Sequence, residues 1–228
     1  MAGRMPKALK PRKMPRQARS EATVDTIFEA TIQVLVTSGV RRTTTTRIAE
    51  RAGVSVGTLY QYFPHKQALL YAVIERYLNE VAEAVEKNCQ QNHGQPIAIA
   101  SDALVTAYID VKIKQAEISR MLYLASSDLE MTSLVNAIIK RFHDAAVRLL
   151  ASAPDVRFRD LDGITFGLLT ALVGATRVAI ENRYTPVALD RFRDHMMAMC
   201  PAFLKDAAIG QPKPIKRTAS KHKVRPCS

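Results

Sequence analysis

Cysteine is scarce in this chain. Its three, Cys89, Cys200 and Cys227, are odd in number, widely spaced and form no C-x-x-C pair. That argues against a disulfide framework or a structural zinc site and fits a reducing cytoplasm. Long apolar runs are missing too. The longest, residues 166–178, is short and broken by Arg177, and the basic N-terminus leads into no apolar stretch, so neither a membrane span nor export is expected. No segment alternates apolar and polar residues between hairpin turns, and no internal repeat is found, so the chain reads as all-α. Metal-ligand and catalytic patterns are also wanting. His65, His93, His143, His195 and His222 make no i, i+4 pair, and His195 and Cys200 fall on different faces of one helix. Gly53 and Gly57 lack the lysine and the preceding strand of a phosphate loop. Glu117, Asp128 and Glu130 flank a helix boundary and suit capping. No cofactor, metal or enzymatic activity is expected.

Acids are absent from both ends. Seven basic residues precede Glu21 and six follow Gly210, with no Asp or Glu in either segment. Taking those thirteen from the 33 Lys and Arg leaves 20 against 21 acids, so the net charge of +12 belongs to the ends and the body is nearly neutral. Residues 1–19 and 207–228 therefore read as basic, disordered segments without the apolar surface to offset ordering. They could follow phosphates or the minor groove, or simply be solvated.

The stretch 44–66, TTTRIAERAGVSVGTLYQYFPHK, organises the rest. Thr44 can cap a short helix whose Ile48, Ala49 and Ala52 share one inward face, and the two alanines allow a second helix to approach. Gly53 stands where a chain leaving a helix needs a left-handed backbone, and Ser55 can cap the second helix. Leu59 and Phe63 then share a buried face, leaving Gly57 and Gln61, flanked by Thr58 and Tyr60, on the opposite arc. A glycine, a hydroxyl, an amide and a phenol suit a helix lying in a DNA major groove, with Gly57 permitting close approach. Pro64 ends the helix, and Lys66 stands just beyond it at a phosphate-contacting distance. A helix pair of this kind also fits a plain hairpin in a core.

Around it, apolar periodicity predicts helices over residues 20–37, 66–88, 97–114, 118–125, 129–151, 161–182 and 186–206. The helix from 66 leaves the reading head and runs well past it, a route for displacement between a domain at 20–66 and one at 67–206. Gly167, Ala171, Gly174 and Val178 make a small-residue stripe beside an apolar band of Leu168, Leu172, Ala175 and Ala179; Leu189, Phe192, Met196, Met199, Cys200 and Phe203 recur on the last helix. Both patterns suit a core or an interface. Tyr108, Met121, Tyr123, Met131, Phe142 and Phe166 could enclose an apolar pocket, with Asp110, Arg120 and His143 as polar anchors.

From Thr44 to Leu69 the order Thr, Ile-Ala, Ala-Gly-Val-Ser, Gly-Thr-Leu-Tyr, Tyr-Phe, Lys, Leu resembles the DNA-binding domain of TetR/AcrR-family repressors. The resemblance spans about residues 20–206, beyond the motif only in helix layout and in the helix around Val173 to Glu181. It implies a cytoplasmic homodimer on a palindromic operator in double-stranded DNA, released by a small, mainly apolar effector, with the last two long helices forming a four-helix dimer interface. Carried across, Val56, Gly57, Thr58 and Tyr60 would face bases with Thr46 nearby, and Thr44, Thr45, Gln61, Tyr62 and Lys66 would contact phosphates. Many relatives carry a charged or polar residue where this chain has Val56, whose natural partner is a thymine methyl. Two other classes stay open: a nonspecific DNA-coating protein using its basic ends, and a helical enzyme.

Overall fold

The computed structural model describes residues 18–126 and 129–209. Among them are nine α-helices, α1 (Ala18–Ser38), α2 (Thr45–Arg51), α3 (Val56–Tyr62), α4 (Lys66–Gln91), α5 (Ile97–Lys114), α6 (Ala116–Ser126), α7 (Thr132–Ala151), α8 (Leu161–Glu181) and α9 (Pro186–Ala207), with a 3₁₀ turn at Val40–Arg42. The all-α expectation holds for these residues, whose single β-bridge joins Phe158 to Ala208. The basic ends lie almost wholly outside them, although α1 begins two residues inside the segment read as an arm.

Helices α1 to α3 close on a small core of Ile27, Leu35, Ile48, Ala49, Leu59 and Phe63, all buried. Each of these is the apolar member of a three- or four-residue spacing, so sequence period becomes a shared inward face. Phe28 meets Phe63 with ring centroids 5.7 Å apart, fixing α1 against the end of α3. The start of α4 completes this head through Leu69 and Leu70, also buried.

The body is built on α4. It packs against α5 and α7; α5 packs on α9, and α8 lies against α6, α7 and α9. Arg141 of α7 forks onto both Glu86 carboxylate oxygens of α4, at 2.8 and 2.6 Å, and gives Asn79 a third bond at 2.7 Å. The short helix α6 touches α1 and the 3₁₀ turn of the head as well as α4 and α8 of the body. Two elements therefore join head to body: α4 by continuity, α6 by packing. By length and composition α8 is long and apolar enough to cross a membrane. Its buried side carries Leu168, Leu169, Leu172, Ala179 and Ile180 into the protein core.

Candidate nucleic-acid interface and pocket

The reading head owes its shape to three local devices. Thr44 Oγ1 accepts the Arg47 amide at 3.3 Å and so opens α2. Gly53, at φ 66°, then turns the chain, with the Val54 amide reaching back to the Ala49 carbonyl at 3.0 Å. Ser55 Oγ accepts the Thr58 amide at 2.9 Å and opens α3. The two helices are pinned across the corner by a hydrogen bond between Thr45 Oγ1 and the Tyr60 hydroxyl at 3.1 Å. A further cap was not anticipated: His65 Nδ1 accepts the Ala68 amide at 3.1 Å and starts α4.

Most of the expected DNA-facing residues are left uncovered by the packing of the head. Thr44, Thr46, Gly57, Tyr60 and Gln61 are exposed, and Thr45, Val56 and Thr58 are half-buried beside them. Two members stand apart. Tyr62 is buried against Phe63, because it follows Leu59 by three and turns with it into the core. Lys66 is half-buried and donates to the Thr43 carbonyl at 3.3 Å, so its ammonium already ties the start of α4 to the chain before α2.

A second feature lies in the body. A cavity of about 130 Å³, partly open at its surface, lies among α4, α5, α6, α7 and α8, with Tyr77, Tyr108, Tyr123, Met131 and Phe142 in its wall. An outer cleft of about 810 Å³ shares Phe142, Val173 and Arg177 with it and adds His143 and Phe166. Three of the expected pocket residues are elsewhere. Asp110 lies on the outside of α5 and binds Arg193 of α9 at 2.6 Å. Arg120 is buried but holds Glu117 at 2.8 Å, and Met121 packs into the core. Neither of these two lines the cavity.

The polar groups that do enter were missed. Lys112 is 2% exposed, its ammonium over the rings of Tyr77 and Tyr123 at 4.7 and 4.9 Å from their centroids. Ser119 joins the Tyr77 hydroxyl by a short hydrogen bond. Burial, with Arg177 nearby, brings the Lys112 pKa down to about 7, while burial pushes the Tyr123 phenol up to about 12 and the Tyr108 phenol well above its usual range. One signal was available: Lys112 stands four residues after Tyr108, on the face that also carries Leu104.

The third feature is an apolar face. Phe166, Gly167, Ala171, Gly174 and Val178 of α8 are exposed, as are Met199 and Phe203 of α9; Phe192 and Ala175 are half-buried. Nothing lies within 4 Å of a Cβ built at Gly167 or Gly174. Four residues expected on this face pack inside the protomer instead: Leu168, Leu172, Leu189 and Met196 are buried. They fall on the opposite arcs of helices that are apolar on more than one side.

Residues 27–73 match the family model of bacterial regulatory proteins, tetR family, and residues 96–204 match the Tetracyclin repressor-like C-terminal domain. The chain belongs to the TetR family. The N-terminal match ends inside α4, the helix that joins head to body in this chain. Nucleoid occlusion factor SlmA of Haemophilus ducreyi is 32% identical over 111 residues, 48% of this chain and 54% of that protein. The fatty acid metabolism regulator protein of Bacillus subtilis is 23% identical over 118 residues, 51% of this chain and 60% of that one. The chain thus spans about half the length of the curated relatives it matches. A solved chain from Mesorhizobium loti described as a TetR-family transcriptional regulator superposes with a TM-score of 0.66, at 20% identity, over 85% of this chain and 100% of that one.

Proposed function

We propose that the protein is a homodimeric, sequence-specific DNA-binding transcriptional repressor of the cytoplasm, released from a palindromic operator by a small, mainly apolar molecule. The observation that carries this reading is the exposed surface made by the start of α2 and the outer arc of α3, with Thr44, Thr46, Gly57, Tyr60 and Gln61 side by side. Val56, Gly57, Thr58 and Tyr60 meet base edges with Thr46 nearby, and Thr44, Thr45, Gln61 and Lys66 meet phosphates. The exposed apolar face of α8 and α9 pairs with its copy. That sets two reading helices about 34 to 36 Å apart, one turn of DNA.

The effector occupies the cavity among α4 to α8, whose wall is mostly aliphatic and aromatic. A B. subtilis relative named as a fatty acid metabolism regulator is consistent with an apolar effector. Release runs through α4 and α6, which line the cavity and also pack against α1. To act, the effector must bind more tightly to a dimer whose heads are spaced wrongly for successive grooves. Selection of bound duplexes from a random-sequence pool tests the reading. A palindrome with half-sites one turn apart is expected; a pool that stays random after repeated rounds would overturn it.

A further inference from the structure

The cavity wall holds a charge imbalance. Lys112 is buried, and no hydrogen-bond acceptor or carboxylate engages its ammonium among the described residues. Its neighbours are aromatic faces and a second cation. Arg177 of α8 lies over the same Tyr123 ring, its guanidinium carbon 5.1 Å from the centroid, and pairs outward with Glu181 at 2.9 Å. The polar groups that share the cavity wall with Lys112 are the phenols of Tyr77, Tyr108 and Tyr123, the hydroxyls of Ser119 and Ser126, and Arg177, and no Asp or Glu lines the cavity among the described residues. Glu80 raises the Tyr77 phenol and Glu181 the Tyr123 phenol, and Glu181 is already paired with Arg177.

A buried ammonium with no acid beside it costs the fold stability, since ring faces replace only part of its hydration. An apolar effector alone would leave that cost in place. A carboxylate removes it, because opposite charges brought together in a dry site attract strongly and the lysine's donors find acceptors. We propose that the cavity takes a small monocarboxylate with an apolar body, the carboxylate on Lys112 with Arg177 at the mouth and the body among Ile74, Leu78, Val81 and Phe142. The proposal rests on the effector reading above and narrows its chemistry. Size supports it: an apolar cavity near 150 Å³ takes a body of about six carbons, and the adjoining cleft leaves room for a longer tail.

The probe is octanoate, with octan-1-ol and octylamine as tail-matched comparators, titrated calorimetrically into the full chain. Octanoate should bind about tenfold to a hundredfold more tightly than octan-1-ol, and octylamine more weakly than both. At pH 8 octanoate binding should take up close to one proton per site, read from buffers of different ionisation enthalpy, because the carboxylate recharges a lysine that burial had neutralised. In Lys112→Met the preference for octanoate over octan-1-ol should collapse to within about threefold and the proton uptake should vanish; Arg177→Gln should reduce the preference only in part.

Equal binding of octanoate and octan-1-ol overturns the proposal, as does binding of neither. So does a preference that survives unchanged in Lys112→Met. If Lys112→Met does not fold, Arg177→Gln and the wild-type proton count decide the matter. The regulator reading is tested separately, by the duplex selected from the random pool. Octanoate binding that leaves duplex affinity unchanged would keep the anion site and remove the effector role, whereas release by octan-1-ol as effective as by octanoate would keep the effector role and remove the anion.

Discussion

Gly57→Ala should separate folding from DNA reading. Gly57 lies in the first turn of α3 and is exposed. A Cβ built there meets only Ser55 Oγ, at 3.6 Å, an ordinary contact. The protein itself therefore accepts the methyl group. Alanine in a helix is favoured over glycine by about 0.5–1 kcal/mol, so the variant should be slightly more stable, with Tm raised by roughly 2–4 °C or less. On operator DNA the sign reverses. A methyl group inserted where α3 approaches the bases overpacks that contact by about 1–3 kcal/mol, a loss of roughly 5 to 150-fold in affinity. Thermal unfolding and fluorescence anisotropy on the selected duplex read the two effects independently. A Gly57→Ala variant that binds the selected duplex as tightly as wild type would mean that Gly57 does not face the bases, and the assigned reading arc would have to rotate. Loss of stability would contradict the local geometry instead.

Further substitutions probe the head, the interface and the cavity. Tyr60→Ala should cost roughly 1–3 kcal/mol on the selected duplex and little on scrambled DNA, whereas Lys66→Ala should weaken all duplexes and flatten the salt slope by about one; anisotropy across a salt series distinguishes them, and wild-type behaviour in both would unseat the reading helix. Gly174→Leu points into open space within the protomer, so it should leave the fold intact while overpacking the dimer, and light scattering at micromolar concentration should report a monomer; a monomeric wild type would refute the interface. Lys112 carries a pH signature. Its folded pKa is about 7 against an ordinary 10.5, so between those values the unfolded chain holds the extra proton and stability rises with pH. Tm should climb from pH 7 to 9 more in wild type than in Lys112→Met, and parallel curves would contradict the burial of an unpaired ammonium.

The reading head was legible because each device is local. Thr44, Gly53 and Ser55 act on backbone groups within five residues, so their spacing alone fixes the caps and the corner. His65 escaped because histidine is an unusual cap, and its role depends on a ring nitrogen turned toward the Ala68 amide. The pocket was half legible. Tyr108, Tyr123, Met131 and Phe142 meet as expected, but α5 is apolar on nearly every side, so its sequence does not say which polar residue points inward. Asp110 finds Arg193 on α9 and Lys112 enters the cavity, a choice set by packing against distant helices. The same ambiguity hid the sidedness of α8, where Leu168 and Leu172 face the core while Gly167 and Ala171, each one residue before them, face out.

Sequence-specific DNA binding by the head built around α2 and α3 is tested most directly by one ratio. It is the ratio of dissociation constants for the selected duplex and a scrambled duplex of equal length, measured by anisotropy on the full chain at physiological salt. A specific regulator should prefer the selected duplex by at least about a thousandfold. Equal affinities with a steep salt slope would contradict that claim and identify a protein that coats DNA through its charge.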